Sequence, residues 1–76
     1  MSELAWRCRR GMRELDLLLA GWLQHDYQLA SSAEQALFAQ FLDLPDPDLA
    51  RYLLAGEQPE QPQFRALAAA IAHRSP

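Results

Sequence analysis

The sequence predicts an all-α fold, a compact bundle of about five short helices that forms one domain over residues 1–76. Three observations support this. Apolar residues recur at intervals of three and four in each long segment, the spacing of a buried helix face. Glycine, proline and capping residues separate these segments. The chain has 76 residues, which limits it to one small core. An enclosed substrate cavity would weaken such a core, so a binding module is favoured over an enzyme.

Two helices are expected in the first third of the chain. Ser2 is placed to cap a short helix from Glu3 to about Arg9. Gly11 suits the left-handed position that follows a helix. The second helix is predicted from about Met12 to Gln28. Its apolar stripe consists of Leu15, Leu18, Leu19, Trp22 and Leu23.

Three more helices are predicted in the remainder. Ser31-Ser32-Ala33-Glu34 reads as a capping box that begins the third. The fourth is expected to begin at Asp46 as N-cap with Pro47 in its first turn, and to end at Gly56. The last is predicted over about 60–73, after a proline-containing connector. The residues expected to face the core are Leu37, Phe38, Phe41, Leu42, Leu49, Tyr52, Leu53, Phe64, Leu67, Ala68 and Ile71.

Charge is unevenly distributed along the chain. Residues 1–13 carry four arginines and one glutamate, a net charge of +3, and residues 14–76 carry three arginines and nine carboxylates, a net charge of −6. There is no lysine, so the basic N-terminal surface is made of guanidinium groups, which pair bidentately with carboxylate or phosphate. A nucleic acid would meet the acidic remainder, which argues against nucleic-acid binding.

Other residue types restrict the location and chemistry. No apolar run approaches the length of a membrane span, and the N-terminus lacks the pattern of a signal peptide. Cys8 is the only cysteine and is expected to be a small buried residue, which fits a reducing cytoplasm. His25 and Asp26 are adjacent and do not form a chelating pair on a helix, and His73 suits the last turn of the final helix. We therefore expect no catalytic set and no metal site.

The run Arg9-Arg10-Gly11-Met12-Arg13-Glu14-Leu15-Asp16 combines a glycine with closely spaced charges. On an unbroken helix, Arg10 and Glu14 would lie one turn apart and pair. Gly11 favours a break instead, which places Glu14 in the first turn of the second helix and leaves Arg10 projecting from the corner. Spacing alone favours a structural role for this run, with Gly11 ending a helix and Arg10 in solvent. Trp6, just before the run, is equally suited to the core or to an exposed interface.

The same run resembles the signature of the small succinate dehydrogenase flavinylation (assembly) factors, whose core pattern is Arg-Gly-x-x-Glu. Further segments match at the expected distances, and the resemblance extends over about residues 4–72. These segments are Trp6, Gln24-His25-Asp26-Tyr27, Phe41-Leu42-Asp43 and Asp46-Pro47-Asp48-Leu49.

The resemblance implies a helical bundle that is not itself an enzyme. It would bind the flavoprotein subunit of succinate dehydrogenase, and in bacteria also that of fumarate reductase, and promote covalent attachment of FAD to a histidine of that subunit. The partner-binding residues carried over by the motif are Arg10, Gly11 and Glu14, with Arg9, Asp16 and Trp6 beside them. We expect no cofactor on this chain, because one glycine beside arginines lacks the glycine-rich cradle and ring pocket that flavin binding needs. A monomer is expected.

A different class of function uses the same corner. An antitoxin-like or inhibitory module could direct these arginines at a membrane or cytoskeletal protein. The identity of the dominant partner separates this alternative from the assembly-factor hypothesis.

Overall fold

The computed structural model describes residues 3–73, which contain five α-helices, two 3₁₀ helices and no strand. The prediction of an all-α bundle of about five short helices is confirmed. The predicted cap at Ser2 lies outside the described residues. The α-helices are α1 (Glu3–Arg7), α2 (Arg13–His25), α3 (Ser32–Phe41), α4 (Asp46–Leu53) and α5 (Arg65–Ala72), and the 3₁₀ helices span Tyr27–Leu29 and Pro62–Phe64. Within the described part of the chain, no helix combines the length and apolarity needed to cross a bilayer.

One hydrophobic core joins the helices, and it contains nearly all of the residues predicted for it. Trp22 stacks on Phe38 with ring centroids 4.5 Å apart, and Phe41 meets Phe64 edge to face at 5.3 Å. Aromatic pairs in these geometries add about 0.5–1.5 kcal/mol beyond the burial of their area. Three leucines of the predicted stripes are only partly buried at the edge of the core: Leu18, Leu23 and Leu37.

The capping box of α3 is confirmed, whereas the predicted cap of α4 is wrong. Ser31 Oγ accepts the backbone N–H of Glu34, and the Glu34 carboxylate accepts the N–H of Ser31. In α4 the N-cap is Pro45, one residue earlier than predicted, and Asp46 is the first helical residue. Asp46 is therefore not at the capping position, and its carboxylate pairs with the guanidinium of Arg10 instead.

Two predicted helices are interrupted near one end. The segment predicted as one helix to Gln28 leaves α-geometry after His25, and Tyr27 packs edge to face against both Trp22 and Phe38 at 6.1 Å. The predicted start of the last helix is likewise a 3₁₀ turn, in which the N–H of Phe64 donates to the carbonyl of Gln61. Packing of aromatic side chains and the missing N–H of Pro62 explain these departures from a continuous helix.

Candidate functional site

The loop between α1 and α2 reverses the chain at Gly11. Gly11 has φ of 83°, in the left-handed region that was predicted for it. It does not directly follow the first helix, however, because α1 ends at Arg7 rather than at about Arg9. The helix stops early because the N–H of Arg10 donates to Asp16, while the carbonyl of Trp6 accepts the N–H of Arg9 in a tighter turn.

Asp16 holds this loop from the first turn of α2. Its Oδ1 accepts the backbone N–H of Arg10 at 2.7 Å, and its Oδ2 accepts the N–H of Gly11 at 3.2 Å. A carboxylate that accepts backbone N–H groups forms charge-assisted hydrogen bonds, which are stronger than neutral ones. Asp16 thus sets the backbone conformation of the arginine–glycine pair.

Arg10 does not project into solvent as the sequence suggested. Its side chain is 18% exposed and reaches across to the segment that joins α3 to α4. Nη1 donates to Asp46 Oδ1 at 3.1 Å, and Nη2 donates to the carbonyl of Leu42. Arg10 therefore ties the loop to the start of α4. Residue spacing does not indicate this contact, because the paired carboxylate comes from a position 36 residues away.

Arg7 makes a parallel contact one helical turn earlier. It donates to the carbonyl of Ala39 and forms an ion pair with Asp43. The carbonyl groups at the end of α3 and just after it therefore accept hydrogen bonds from two kinds of donor. Backbone N–H groups bind those of residues 38, 40 and 41, and arginines bind those of Ala39 and Leu42. Guanidinium groups at this end also match the negative end of the helix dipole.

The other two arginines of the cluster are exposed. Among residues 3–73, neither Arg9 nor Arg13 forms an ion pair. The guanidinium of Arg9 lies 5.6 Å from the ring centroid of Trp6, which is 64% exposed. This resolves the question about Trp6 in favour of an exposed aromatic residue. Cation–π pairing holds Trp6 and Arg9 as one surface unit.

A shallow groove of about 440 Å³ lies beside this unit. Its lining includes Arg9 and Arg13 beside apolar residues, and the full set is Cys8, Arg9, Gly11, Arg13, Asp16, Leu17 and Ala20. A Cβ added to Gly11 would meet nothing within 4 Å. The groove is therefore open toward Gly11, and another molecule can approach the backbone there.

We use the name corner face for the exposed residues of the α1–α2 loop and of the helix turns on either side of it: Trp6, Arg9, Gly11, Arg13 and Glu14. Glu14 lies in the first turn of α2, as predicted for a broken helix, and its side chain is exposed. Arg10 and Asp16 are only partly exposed and hold the loop, and Asp16 also lines the groove. Six residues were predicted from the sequence to bind a partner. Four of them are exposed, and the other two, Arg10 and Asp16, hold the loop.

The buried thiol of Cys8 lies beneath the groove. Cys8 is 1% exposed, which confirms that it is a small buried residue. Burial raises the pKa of this thiol to about 11, although the nearby Arg10 and Arg7 oppose that rise. A thiol with so high a pKa is protonated near neutral pH and is a poor nucleophile.

Sequence reasoning missed the role of Asp43 and Asp46 as partners of the basic cluster. Both were noted, but only as part of a family pattern and a helix start. Two of the four clustered arginines are neutralised by these carboxylates. The basic surface is therefore smaller than the charge count of residues 1–13 suggests, and this weakens the case for a nucleic-acid partner further.

Comparison with known proteins identifies the family that this chain matches. Residues 2–75 match the family described as "Flavinator of succinate dehydrogenase". Three similar proteins are each named FAD assembly factor SdhE. The one from Methylococcus capsulatus is 47% identical over 92% of this chain and 84% of its own length. The one from Xylella fastidiosa is 44% identical over 93% and 73%, and that from Pectobacterium atrosepticum is 32% identical over 97% and 84%. No solved structure matches the chain.

Proposed function

This chain belongs to the family of flavinators of succinate dehydrogenase, and we propose that it binds the flavoprotein subunit of that enzyme and promotes covalent attachment of FAD to it. The observation that carries the proposal is the match over residues 2–75, which includes the whole corner face. The proposal extends to the flavoprotein subunit of fumarate reductase. The chain acts as an assembly factor, not as an enzyme, and forms its complex as a cytoplasmic monomer.

The corner face is the proposed contact surface. It presents an aromatic ring, two guanidinium groups that form no ion pair among residues 3–73, and an open backbone at Gly11. Exposed tryptophan and arginine are the residue types that most often dominate the energy of protein interfaces. Glu14 adds an exposed carboxylate, so the surface can recognise both signs of charge.

In this proposal FAD stays on the client flavoprotein. A pyrophosphate bound at the arginine–glycine pair would need free backbone N–H donors. The N–H groups of Arg10 and Gly11 are already bound by the carboxylate of Asp16, which would also repel a phosphate. These contacts support a role in which the chain touches the protein rather than its cofactor.

The proposed mechanism is positioning. Covalent attachment draws on the reactivity of the flavin itself, which is cofactor chemistry. A helper that holds the client histidine and the flavin in reactive geometry can remove several kcal/mol from a barrier. The corner face would stabilise the attachment-competent conformation of the flavoprotein, and the rigid five-helix core would keep that surface in shape.

A deletion strain tests the proposal. Covalent flavin in the flavoprotein subunits of succinate dehydrogenase and fumarate reductase is read as in-gel fluorescence after denaturing electrophoresis. We expect the fluorescence to fall in the deletion strain and to return with the wild-type gene. Unchanged fluorescence in both subunits would refute the proposal. A pull-down in which a membrane or cytoskeletal protein replaces the flavoprotein as main partner would favour the inhibitory module instead.

A further inference from the structure

The guanidinium of Arg10 is turned into the protein. Its side chain is 18% exposed, and both Nη atoms are engaged, one with Asp46 and one with the carbonyl of Leu42. Its Nε is buried and has no hydrogen-bond partner among the described residues. Such a group is committed to the interior, and a protein partner has little access to it. This is unexpected for the arginine of a motif that is read as a partner-binding site.

The backbone of Arg10 is held as firmly as its side chain. Asp16 binds the N–H groups of Arg10 and Gly11 from α2, and the side chain of Arg10 reaches the segment between α3 and α4. Arg10, the residue before Gly11, is therefore fixed by two different parts of the fold. Gly11 itself borders open space, because an added Cβ would meet nothing within 4 Å.

We propose that Arg10 is a positioning residue, which acts on the partner by bracing Gly11 and the corner face against Leu42 and Asp46 rather than by touching the partner. This inference rests on the proposed function for its binding readout only. Asp46 takes part in the same positioning through its ion pair with Arg10, although it lies outside the Arg-Gly-x-x-Glu motif. Recognition of the client is then performed by the exposed residues of the corner face.

The first test uses the free protein and amide hydrogen exchange. Replacing Arg10 by alanine, or Asp46 by asparagine, should speed exchange at the amides of Arg10 and Gly11, by about tenfold for Arg10→Ala. Asp48→Asn is the matched control, because Asp48 lies in the same first turn of α4 but pairs with Arg51. Arg9→Ala should leave exchange at these two amides unchanged.

The second test measures affinity for the purified flavoprotein subunit, well below the melting temperature of every variant. Arg10→Ala and Asp46→Asn should each weaken binding, the former by about tenfold. The double variant should bind the flavoprotein no more weakly than Arg10→Ala does, because both changes remove the same contact between Arg10 and Asp46. Arg10→Lys should restore part of the affinity, since a lysine can satisfy one of the two acceptors. Asp48→Asn should bind like the wild type.

The outcomes separate this inference from the proposed function. Weak binding by Arg10→Ala with normal amide exchange, together with normal binding by Asp46→Asn, would show that Arg10 contacts the partner directly and would overturn the inference. If the wild type does not bind the flavoprotein, the proposed function fails, while the exchange measurements still decide whether Arg10 braces Gly11. If Arg10→Ala does not fold, Arg10→Lys and Asp46→Asn carry both tests.

Discussion

The carboxylate of Asp16 binds the backbone N–H of Arg10, six residues earlier in the chain, across 2.7 Å. This contact joins the first turn of α2 to the loop before it. The second oxygen of the same carboxylate accepts the N–H of Gly11. A side chain two residues beyond the motif thereby sets the conformation of the motif itself.

Replacing Asp16 or Glu14 by alanine should have different effects on the free energy of unfolding. Asp16→Ala loses two hydrogen bonds to a charged acceptor and should lower the free energy of unfolding by about 1–2 kcal/mol. Glu14 is exposed, and Glu14→Ala should change that free energy by less than about 0.5 kcal/mol while still weakening the complex with the flavoprotein. Urea denaturation measures the first quantity and a binding titration the second. Equal losses of stability would contradict this assignment.

Gly11 and Gly56 form a natural pair for testing the surface. Both have positive φ, 83° and 76°, and an added Cβ would meet nothing within 4 Å at either site. Replacing either by alanine should therefore cost about 1 kcal/mol of stability through backbone strain alone.

Only the Gly11→Ala variant should also lose affinity for the flavoprotein, because only Gly11 lies on the corner face. Thermal melting and the binding titration, run on both variants, check the two statements. A Gly56→Ala variant that binds as weakly as Gly11→Ala would mean that the loss follows stability and not the surface.

Trp6 should matter for binding and not for folding. Its ring is 64% exposed, so Trp6→Ala should leave the unfolding free energy within about 0.5 kcal/mol of the wild type. As the aromatic member of the proposed contact, its loss should weaken the complex by at least about fivefold. Leu29→Ala is the control, since Leu29 is 86% exposed and lies in the 3₁₀ helix after α2. Normal binding by Trp6→Ala would remove it from the interface.

Cys8 should resist alkylation in the folded protein. Burial raises the pKa of its thiol to about 11, so only about one thiol in a thousand is ionised at pH 8. Iodoacetamide should modify it slowly in buffer and rapidly in denaturant, as followed by mass spectrometry. Rapid modification in buffer would show that the thiol is accessible.

The same thiol should make stability depend on pH in alkaline solution. The unfolded chain releases this proton near pH 9.0, whereas the folded chain keeps it until about pH 11. Between these values the folded state binds more protons, so the free energy of unfolding should fall as the pH rises. Cys8→Ala should lose this part of the pH dependence. An identical pH profile in both proteins would refute it.

The helices and the core could be predicted because their signals are local. The apolar stripe of α2 and the capping box at Ser31 are written in residues three or four positions apart, which interact directly on a helix. The exact ends of the helices could not be predicted from such local signals. Tyr27 leaves the helix to meet rings of Trp22 and Phe38, a contact that depends on how α2 and α3 pack.

The order of amino acids is enough to establish an all-α bundle, a left-handed glycine at position 11 and the family resemblance, because periodicity, backbone sterics and a short motif need no partner from elsewhere. Which arginines face outward depends instead on how the helices pack. Arg7 and Arg10 are paired with Asp43 and Asp46, each 36 residues away, and they complete the carbonyl end of α3. Charge pairing over that distance depends on where packing places α3 and α4, so residue spacing cannot reveal it.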